Sequence, residues 1–299
     1  MPSVSSLAEA AAALADATAQ RRPLRIGRDL TLAGLDRVLE HEAGDLTCTV
    51  EAGIRLSALQ RALAERGQRL SLDPPGDPTV GALLAENLSG PLRHRYGAPR
   101  DLVLGVTLVL ADGTVASAGG KVVKNVAGYD LARLVCGSRG TLALIARASF
   151  RLHPLPRAAG TLVVETEDAP AAVRALLASQ LEPSALDVLH PGCVAVLFEG
   201  APRAVEAQLA AARALVGGVE AGSEVWEESR ARQAEARGRV RFEPGRLAEA
   251  LAALEQALVR PAAGVAYVPQ ETASEPSEPV ARLQEAVRRA FDPAGVLSR

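Results

Sequence analysis

The sequence is short of lysine, of aromatic residues and of long apolar runs. Lysine occurs only as Lys121 and Lys124 among 33 basic residues, and aromatic side chains make up 3% of the 299 residues. No uninterrupted apolar run approaches the roughly 20 residues that a membrane-spanning helix needs. The N-terminal residues also lack the basic start and apolar core of a signal peptide. We therefore expect a cytoplasmic protein with no direct membrane insertion, associated with a membrane at most through its partners.

An excess of charge of one sign is also missing. The formal net charge is −2, which provides no long-range attraction to nucleic acid or to an anionic membrane. A nucleic-acid partner is therefore not expected. Hydrophobic residues make up 48% and charged residues 23% of the chain, a composition typical of a folded globular protein. A chain of this length is expected to form two domains instead of one core.

Spacings that bind metals or form covalent catalytic groups are absent from the sequence. Cys48, Cys136 and Cys193 lie far apart and include no C-x-x-C pair. The histidines are equally scattered, at His41, His94, His153 and His190. No Ser-His-Asp or Cys-His grouping can be identified. The sequence predicts no metal site and no catalytic residue, and we interpret each cysteine as a small buried apolar side chain.

The pattern of strands and helices divides the chain near His153-Pro-Leu-Pro156, where two prolines follow a long apolar strand. Before this point, a capping box at Ser6–Glu9 starts an alanine-rich helix, and Asp112-Gly113 joins two strands as a hairpin. After it, we predict strands alternating with helices, one of them over Leu247–Leu258, with the helices on one face of a sheet. The fold class is α+β. The expected domains are 1–155 and 156–278, followed by a C-terminal helix in 279–299 that returns to the first domain.

Two loops rich in glycine and proline could bring backbone N–H groups close to a phosphate, because no side chain blocks the approach. They are Pro74–Gly81, which continues through Asn87-Leu-Ser-Gly90, and Gly137–Gly140. Neither is a G-x-G-x-x-G or a Walker A loop, so plain turns are the alternative interpretation. Both lysines lie between these loops, in Lys121–Asp130. That segment is compatible with a binding site and with a solvated loop.

A series of motifs between residues 68 and 156 occurs in a distinctive order. The motifs are Asp73-Pro-Pro-Gly-Asp-Pro-Thr-Val-Gly81, Asn87-Leu-Ser-Gly-Pro91, Arg95-Tyr-Gly97, Arg100-Asp-Leu-Val-Leu-Gly105, Leu110-Ala-Asp-Gly113, Lys121–Asp130 and Gly137-Ser-Arg-Gly-Thr-Leu142. Together they resemble the flavin domain of the vanillyl-alcohol-oxidase type, also called the PCMH-type FAD-binding fold. Phe291–Val296 is similar to the final turn of that family. The resemblance implies a PCMH-type domain of two small α/β lobes, followed by an α+β cap domain.

The resemblance implies FAD as the cofactor, held largely by backbone groups. The cofactor-binding residues that it implies are Pro75, Gly76, Thr79, Val80, Gly81, Asn87, Ser89, Gly90, Gly140 and Ile145. The sequence departs from the family where a Gly/Ser/Asn-rich loop normally wraps the pyrophosphate. Here Ile26-Gly27 runs through Arg28-Asp29 directly into the next strand.

Further departures concern charge and small residues. Ala82 and Ala143 stand where the family has glycine, and Glu86 places a negative charge beside the expected phosphate path. A carboxylate near a pyrophosphate lowers affinity unless a cation compensates, and the sequence offers Arg28 or a lysine for that role. These departures predict that FAD is bound weakly or not at all.

Within the family, Val123–Asp130 is most similar to the E subunits of bacterial glycolate oxidases. This similarity implies an accessory, FAD-binding-type subunit of a glycolate oxidase complex, which oxidises 2-hydroxy acids. The implied partners are a catalytic flavoprotein subunit and an iron–sulfur subunit, and the implied role is assembly or electron relay. The alternatives are a stand-alone FAD-dependent oxidoreductase of small alcohols or hydroxy acids and a cofactor-free structural subunit. Without FAD, Lys121, Lys124, Asn125 and Tyr129 would form a surface for a partner subunit.

Overall fold

The computed structural model describes residues 3–120, 130–272 and 276–298. Lys121, Lys124, Asn125 and Tyr129 lie outside the described residues, so the interpretation of their segment stays a prediction. In the first half, the helices are α1 Leu7–Ala19, α2 Leu56–Ala64, α3 Val80–Ala85, α4 Arg93–Tyr96, α5 Pro99–Leu102 and α6 Leu131–Val135. The strands there are β1 Val38–Glu42, β2 Thr47–Glu51, β3 Gln68–Arg69, β4 Val103–Val109, β5 Val115–Gly119, β6 Leu144–Arg151 and β7 His153–Pro154.

The second half continues the same mixture of elements. Its strands are β8 Ala158–Glu165, β9 Ala185–His190, β10 Cys193–Gly200, β11 Val219–Ala221, β12 Gly238–Arg241, β13 Ala257–Arg260 and β14 Val265–Val268. Its helices are α7 Ala169–Ala178, α8 Pro202–Val216, α9 Glu224–Glu235, α10 Leu247–Ala252 and α11 Glu278–Phe291. All pairings among the described strands are antiparallel, and the mixed architecture confirms the predicted α+β class.

The first sheet has the strand order β1-β2-β6-β4-β5 among the described residues. Strand β6 lies in the middle because it is apolar on both faces. Its Leu144 and Ala146 belong to the core around α1, whereas Ile145 and Phe150 belong to the core around α2 and α3. The sheet therefore separates two packed layers within the first half.

Two local structures that the sequence predicts are found in this half, a hairpin and a helix cap. The Asp112-Gly113 hairpin is confirmed, since Val109 pairs with Val115 and Gly113 has a φ of +84°. The Ser6 side chain caps α1 by accepting a hydrogen bond from the Glu9 N–H at 3.2 Å. The Glu9 carboxylate accepts from the Ser5 N–H at 2.8 Å, so the returning half of the capping box is shifted by one residue.

The C-terminal residues contact the first half. The Leu24 N–H donates to the Val296 carbonyl at 2.8 Å, and Leu24 forms an isolated parallel bridge with Leu297. Val296 and Leu297 are buried in the same core as Leu14 of α1. This core therefore joins residues from both ends of the described chain.

The second sheet has the strand order β11-β8-β10-β9-β13-β14-β12 among the described residues. Helices α7, α8 and α10 cover one face with residues such as Leu176, Leu209 and Leu251. The prediction that the helices share one face is wrong for α9, because Trp226 packs on the opposite face with Leu189 and Tyr267. The sequence of α9 is largely charged, with few apolar residues at helical spacing, so its pattern gave no signal of a packed helix.

The predicted helix over Leu247–Leu258 is also wrong in its last part. Helix α10 ends at Ala252, and Ala257–Arg260 forms β13 between β9 and β14. All four residues of β13 are buried. Pairing with strands on both sides overrides the local helical preference of this alanine- and leucine-rich segment.

Candidate functional site

A cleft in the first half collects part of the predicted site. It lies between residues 26–36, the start of α2, helix α3 and residues 139–145, and has a volume of about 630 Å³. Thr79, Gly81, Gly140 and Ile145 line it, as the sequence predicts for cofactor contacts. We call it the α3 cleft. Its volume lies within the range of about 300–1,000 Å³ that is typical of small-molecule sites.

The start of α3 is tied to the chain that follows β2. Thr79 caps α3 by accepting a hydrogen bond from the Ala82 N–H at 3.3 Å. The Val80 N–H donates to the Ile54 carbonyl at 2.9 Å, and the Gly81 N–H donates to the Ala52 carbonyl at 2.7 Å. These two backbone donors are therefore engaged inside the protein, although the sequence analysis assigned both residues to the cofactor.

Position 81 leaves little room for a side chain. A Cβ at Gly81 would stand 3.1 Å from the Ala52 carbonyl oxygen, closer than most real Cβ contacts. A side chain there would push α3 away from the strand end. Loss of FAD binding on substitution of Gly81 would consequently not distinguish a lost ligand contact from a shifted helix.

The Gly137–Gly140 turn forms another wall of the α3 cleft. The Gly137 N–H donates to the Leu84 carbonyl at 3.0 Å, and the Arg139 N–H donates to the Ala85 carbonyl at 2.9 Å. Both bonds fix the turn on the C-terminal end of α3. Gly140 has a φ of +74°, and a Cβ there would meet Ile26 at 3.3 Å. The turn can approach Ile26 this closely because the residue is glycine.

The short segment after Ile26 is a closed turn, and it leads into an isolated bridge at Leu30 and not directly into a strand, since β1 begins at Val38. The Gly27 N–H donates to the Leu30 carbonyl at 2.8 Å. The Asp29 carboxylate accepts from the backbone N–H of Arg25 at 2.9 Å and from its Nε at 3.0 Å. These donors are used within the turn, which leaves no extended loop between Ile26 and Leu30 to wrap a pyrophosphate.

Four charged side chains of the described residues line the α3 cleft, and they balance in sign: Asp36, Arg55, Glu86 and Arg139. The Arg139 Nε lies 3.4 Å from Glu86 Oε2, and both side chains are about half exposed. The Arg55 Nη1 donates to the Asp77 carbonyl at 2.7 Å. Among the described residues, the cation beside Glu86 is therefore Arg139, whereas the sequence analysis named Arg28 or a lysine for that role, and both lysines lie outside the described residues. Arg55 and Arg139 were missed as site residues, although Arg139 stands inside a glycine loop that the analysis had selected.

Residues 27–119, which include most of this cleft, match the family described as FAD binding domain. Over these residues the chain is similar to PCMH-type FAD-binding domains. Over 218 residues the chain is 33% identical to glycolate oxidase subunit GlcE of Escherichia coli, covering 70% of this chain and 61% of that protein. Over 196 residues it is 33% identical to glycolate oxidase subunit GlcD of Bacillus subtilis, covering 62% of this chain and 42% of that protein. The chain thus spans less than two thirds of these relatives.

A solved structure has the same fold as the whole chain. Alkyldihydroxyacetonephosphate synthase superposes with a TM-score of 0.73, covering 99% of this chain and 74% of the synthase chain. The sequence identity is 16%, so this likeness concerns the fold alone. A second crystal form of the synthase gives the same TM-score of 0.73.

The α3 cleft fits part of FAD. Ile26, Ala58 and Ile145 offer apolar surface for a ring system, and Arg55 and Arg139 offer guanidinium groups for a pyrophosphate. The space beside Gly140 stays open because that residue has no side chain. These features are compatible with the nucleotide half of FAD and its phosphates. Asn87, Ser89 and Gly90 are not among the residues that line the cleft.

Ser89 and Gly90 lie instead at a closed contact with the second half, which we call the Ser89 junction and which also contains Gln233 and Arg260. The Ser89 carbonyl accepts hydrogen bonds from Gln233 Nε2 at 2.9 Å and from Arg260 Nη1 at 3.2 Å. Ser89 is 2% exposed and Arg260 is 3% exposed. A Cβ at Gly90 would stand 1.8 Å from the Asp73 carbonyl oxygen. The junction is thus filled by protein atoms.

A buried polar network extends from the Ser89 junction into the second sheet. Gln233 Oε1 accepts from Arg260 Nη2 at 2.7 Å, and Arg260 Nε lies 3.5 Å from Asp187 Oδ1. The Ser229 hydroxyl donates to Asp187 Oδ2 at 2.5 Å. Burial raises the pKa of the Asp187 carboxyl, and Arg260 opposes that increase. The network holds α9 and β13 against the first half.

Asp73 lies beside the same junction. Burial raises the pKa of its carboxyl to about 7, while Arg260, the Leu92 N–H and Arg230 lower it. The Leu92 N–H donates to Asp73 Oδ1 at 3.0 Å, and Arg230 Nη1 is 3.8 Å from Oδ2. This carboxyl titrates near neutral pH because the surrounding protein displaces water from it.

The other predicted site residues do not face the α3 cleft. Pro75 and Gly76 lie in a turn in which Gly76 is exposed with a φ of +69°. Val80 is completely buried in the core around α2 and α3. Asn87 adopts a φ of +50°, and its Oδ1 accepts from the Arg100 N–H at 3.3 Å. These four residues shape the loop around α3.

The structure also shows the surroundings of residues that were considered for catalysis or metal binding. His190 Nε2 is 3.0 Å from the Leu254 carbonyl, a contact between β9 and the end of α10. Cys48 is buried, and burial raises the pKa of its thiol to about 12. In the described ranges, no three His, Cys, Asp or Glu residues are grouped so that they could hold a metal ion. None of the described helices has the length and apolar character that crossing a bilayer requires.

Proposed function

We propose that this chain binds FAD in the α3 cleft and acts as the flavin-binding subunit of an oxidoreductase of the glycolate oxidase type. The observation that carries the proposal is the agreement between the cleft and the family match, because residues 27–119 supply most of its lining. When bound, FAD supplies the electron-accepting chemistry that amino-acid side chains lack. The chain supplies apolar walls, two arginines and a rigid position for the cofactor.

The role that we propose is accessory. The histidine of the second half, His190, is the candidate for a catalytic base there. Its ring nitrogen contacts the Leu254 carbonyl. At the Ser89 junction, the Ser89 carbonyl is covered by Gln233 and Arg260, so it is engaged with protein groups. Two of the similar proteins are named as subunits of glycolate oxidase. These features support assembly or electron relay beside a catalytic flavoprotein subunit and an iron–sulfur subunit, with a 2-hydroxy acid as the substrate of the complex.

A direct test is titration of the purified chain with FAD, followed by the absorbance and fluorescence of bound flavin. Ala58 lines the α3 cleft, so Ala58→Phe should fill the cleft and prevent binding. Ala64 is exposed at the end of the same helix, and Ala64→Phe serves as the matched control that should bind FAD normally. Equal binding by both variants would place FAD elsewhere.

Activity and co-purification separate the accessory role from its alternatives. The accessory role predicts no useful oxidation of glycolate or lactate by the chain alone, and activity on assembly with a catalytic flavoprotein subunit and an iron–sulfur subunit. Turnover by the isolated, flavin-loaded chain would favour a stand-alone oxidoreductase. Assembly of an active complex that contains no flavin in this chain would favour a structural subunit.

A further inference from the structure

Three backbone N–H groups near the expected phosphate path are engaged within the protein. The Gly27 N–H is used in the closed turn after Ile26, and the N–H groups of Val80 and Gly81 bond to carbonyls of the chain after β2. A pyrophosphate buried against the protein needs hydrogen-bond donors that compensate for the water it loses. With these three donors engaged, a side-chain donor that lines the α3 cleft becomes more important for holding a phosphate there.

Arg139 has an unusual backbone conformation for its residue type. Its φ is +54°, and it lies between Gly137 at +85° and Gly140 at +74°. Non-glycine residues are disfavoured in this left-handed region, and such residues concentrate at functional sites. The Arg139 N–H is held by the Ala85 carbonyl at 2.9 Å, which anchors the strained residue to α3. The guanidinium thereby lines the α3 cleft from a fixed backbone position.

The charges around Arg139 favour an anionic ligand. On its other side, Arg139 borders a second cleft of about 1,140 Å³, which also contains Arg241, Arg288 and Arg289. Glu285 lies 3.7 Å from Arg288 and 3.0 Å from Arg289, and Asp292 also lines this cleft, so four arginines outnumber two carboxylates among its described residues. Convergent cations raise the local concentration of anions.

Glu86 occupies the position of an internal counter-ion for Arg139. Its carboxylate lies 3.4 Å from Arg139 Nε, and both side chains are exposed enough to move, at 46% and 55%. A guanidinium has five N–H donors, so it can retain Glu86 with one edge or exchange it for a phosphate. A carboxylate next to a phosphate repels it, which makes Glu86 a competitor of the ligand.

We propose that Arg139 binds the pyrophosphate of FAD in place of the missing first loop, and that Glu86 limits the affinity by competing for the same guanidinium. The proposal rests on FAD binding in the α3 cleft. Arg55, the residue that precedes α2, is a weaker candidate because its Nη1 already donates a hydrogen bond to the Asp77 carbonyl. Arg139 is thus a cofactor-positioning residue that determines whether phosphate-bearing flavins bind.

The test is a comparison of four variants in FAD titrations. Arg139→Gln should weaken FAD binding at least tenfold, and Arg139→Lys should restore part of that loss because charge is kept while the planar fork is lost. Glu86→Gln should tighten binding several-fold. Arg133 is the matched control, since it is also 55% exposed and paired with a carboxylate, that of Asp130 at 3.3 Å. Arg133→Gln should change FAD affinity less than twofold.

Ligands with and without phosphate give a second readout. ADP should compete with FAD for the wild-type chain and compete poorly for Arg139→Gln, whereas riboflavin affinity should be the same in both. The salt dependence of FAD affinity should also be smaller in Arg139→Gln. Unchanged thermal unfolding of Arg139→Gln would exclude a folding defect, and Arg139→Lys provides the comparison if Arg139→Gln unfolds early.

The outcomes separate the inference from the proposed function. If the wild-type chain binds FAD and Arg139→Gln binds it equally well, the role of Arg139 is wrong while flavin binding stands. If the wild-type chain and Glu86→Gln both fail to bind FAD at millimolar concentration, both the role of Arg139 and the proposed function are wrong. A loss of FAD binding that riboflavin shares would also contradict a phosphate-specific role.

Discussion

The α3 cleft and the Ser89 junction contain residues from the same set of family motifs, but their surroundings differ. Thr79, Gly81 and Gly140 border open space, whereas Ser89 and Gly90 are covered by protein. The difference arises from the second half of the chain, which inserts Gln233 and Arg260 at the Ser89 junction, whereas none of its described residues lines the α3 cleft. Similar loop motifs can therefore lead to a ligand site or to a domain contact, depending on what packs against them.

Among the variants that compare the two regions, we expect the largest loss of stability at the buried ion pair of Arg260 and Asp187. Arg260→Ala removes the cation nearest to Asp187 and leaves a buried carboxyl whose remaining hydrogen-bond donor is the Ser229 hydroxyl. We expect a loss of about 3–5 kcal/mol in the free energy of unfolding. Chemical denaturation measures this loss. In contrast, Arg289→Ala removes an exposed pair with Glu285 and should have no measurable effect. Similar stabilities of the two variants would mean that the junction does not stabilise the fold.

Alanine at selected glycines compares the two regions by packing. Gly90→Ala would place a Cβ 1.8 Å from the Asp73 carbonyl oxygen, so we expect it to destabilise the protein by about 1–3 kcal/mol. Gly81→Ala should have a smaller effect on unfolding because its nearest contact is 3.1 Å. Thermal unfolding of both variants shows which substitution destabilises the protein more. A larger effect at Gly81 would show that the α3 cleft is the more tightly packed region.

Gln233 tests whether the Ser89 junction has any part in flavin binding. Gln233→Ala removes one donor to the Ser89 carbonyl and the acceptor of Arg260 Nη2. The expected loss of unfolding free energy is about 1–2 kcal/mol, because buried polar groups lose their partners. FAD affinity should stay within about twofold, since Gln233 does not line the α3 cleft. A clear change in FAD affinity would mean that the Ser89 junction contributes to the cofactor site.

A further expected effect is a pH dependence of stability at Asp73. Its pKa is about 7 in the folded protein and near 3.8 when unfolded, so the folded state holds a proton that the unfolded chain releases between these values. The contribution of Asp73 to stability is therefore present at low pH and is lost as pH rises from about 4 to about 7. Asp73→Asn cannot ionise and should become more stable relative to the wild type as pH rises.

Thermal unfolding of Asp73→Asn and wild type at pH 5 and pH 8 measures that difference. Asp45→Asn, in an exposed turn of the first half, is the control that should follow the wild type at both pH values. If Asp73→Asn also follows the wild type, Asp73 is ionised across this range, and the junction is better solvated than its packing indicates.

Much of the candidate site was accessible to sequence reasoning, but its shape was not. The glycine loops Pro74–Gly81 and Gly137–Gly140 were selected from their composition, and both border the α3 cleft. The roles of individual residues differ from expectation because the backbone donors of Val80 and Gly81 are used to hold α3. Arg139 was not selected, since a single arginine in a loop has no sequence signal until its φ and its neighbours are known.

Short-range interactions explain what the sequence by itself determined. The cap of α1, the Asp112-Gly113 hairpin and the closed turn after Ile26 depend on residues a few positions apart, so their residue types are sufficient to specify them. The tertiary structure alone decided the strand β13, the place of α9 and the closure of the Ser89 junction. Gln233 and Arg260 lie 144 and 171 positions from Ser89 along the chain. Contacts at such separations form only when the whole chain packs, because the energy that fixes them comes from burial and pairing and not from local preference.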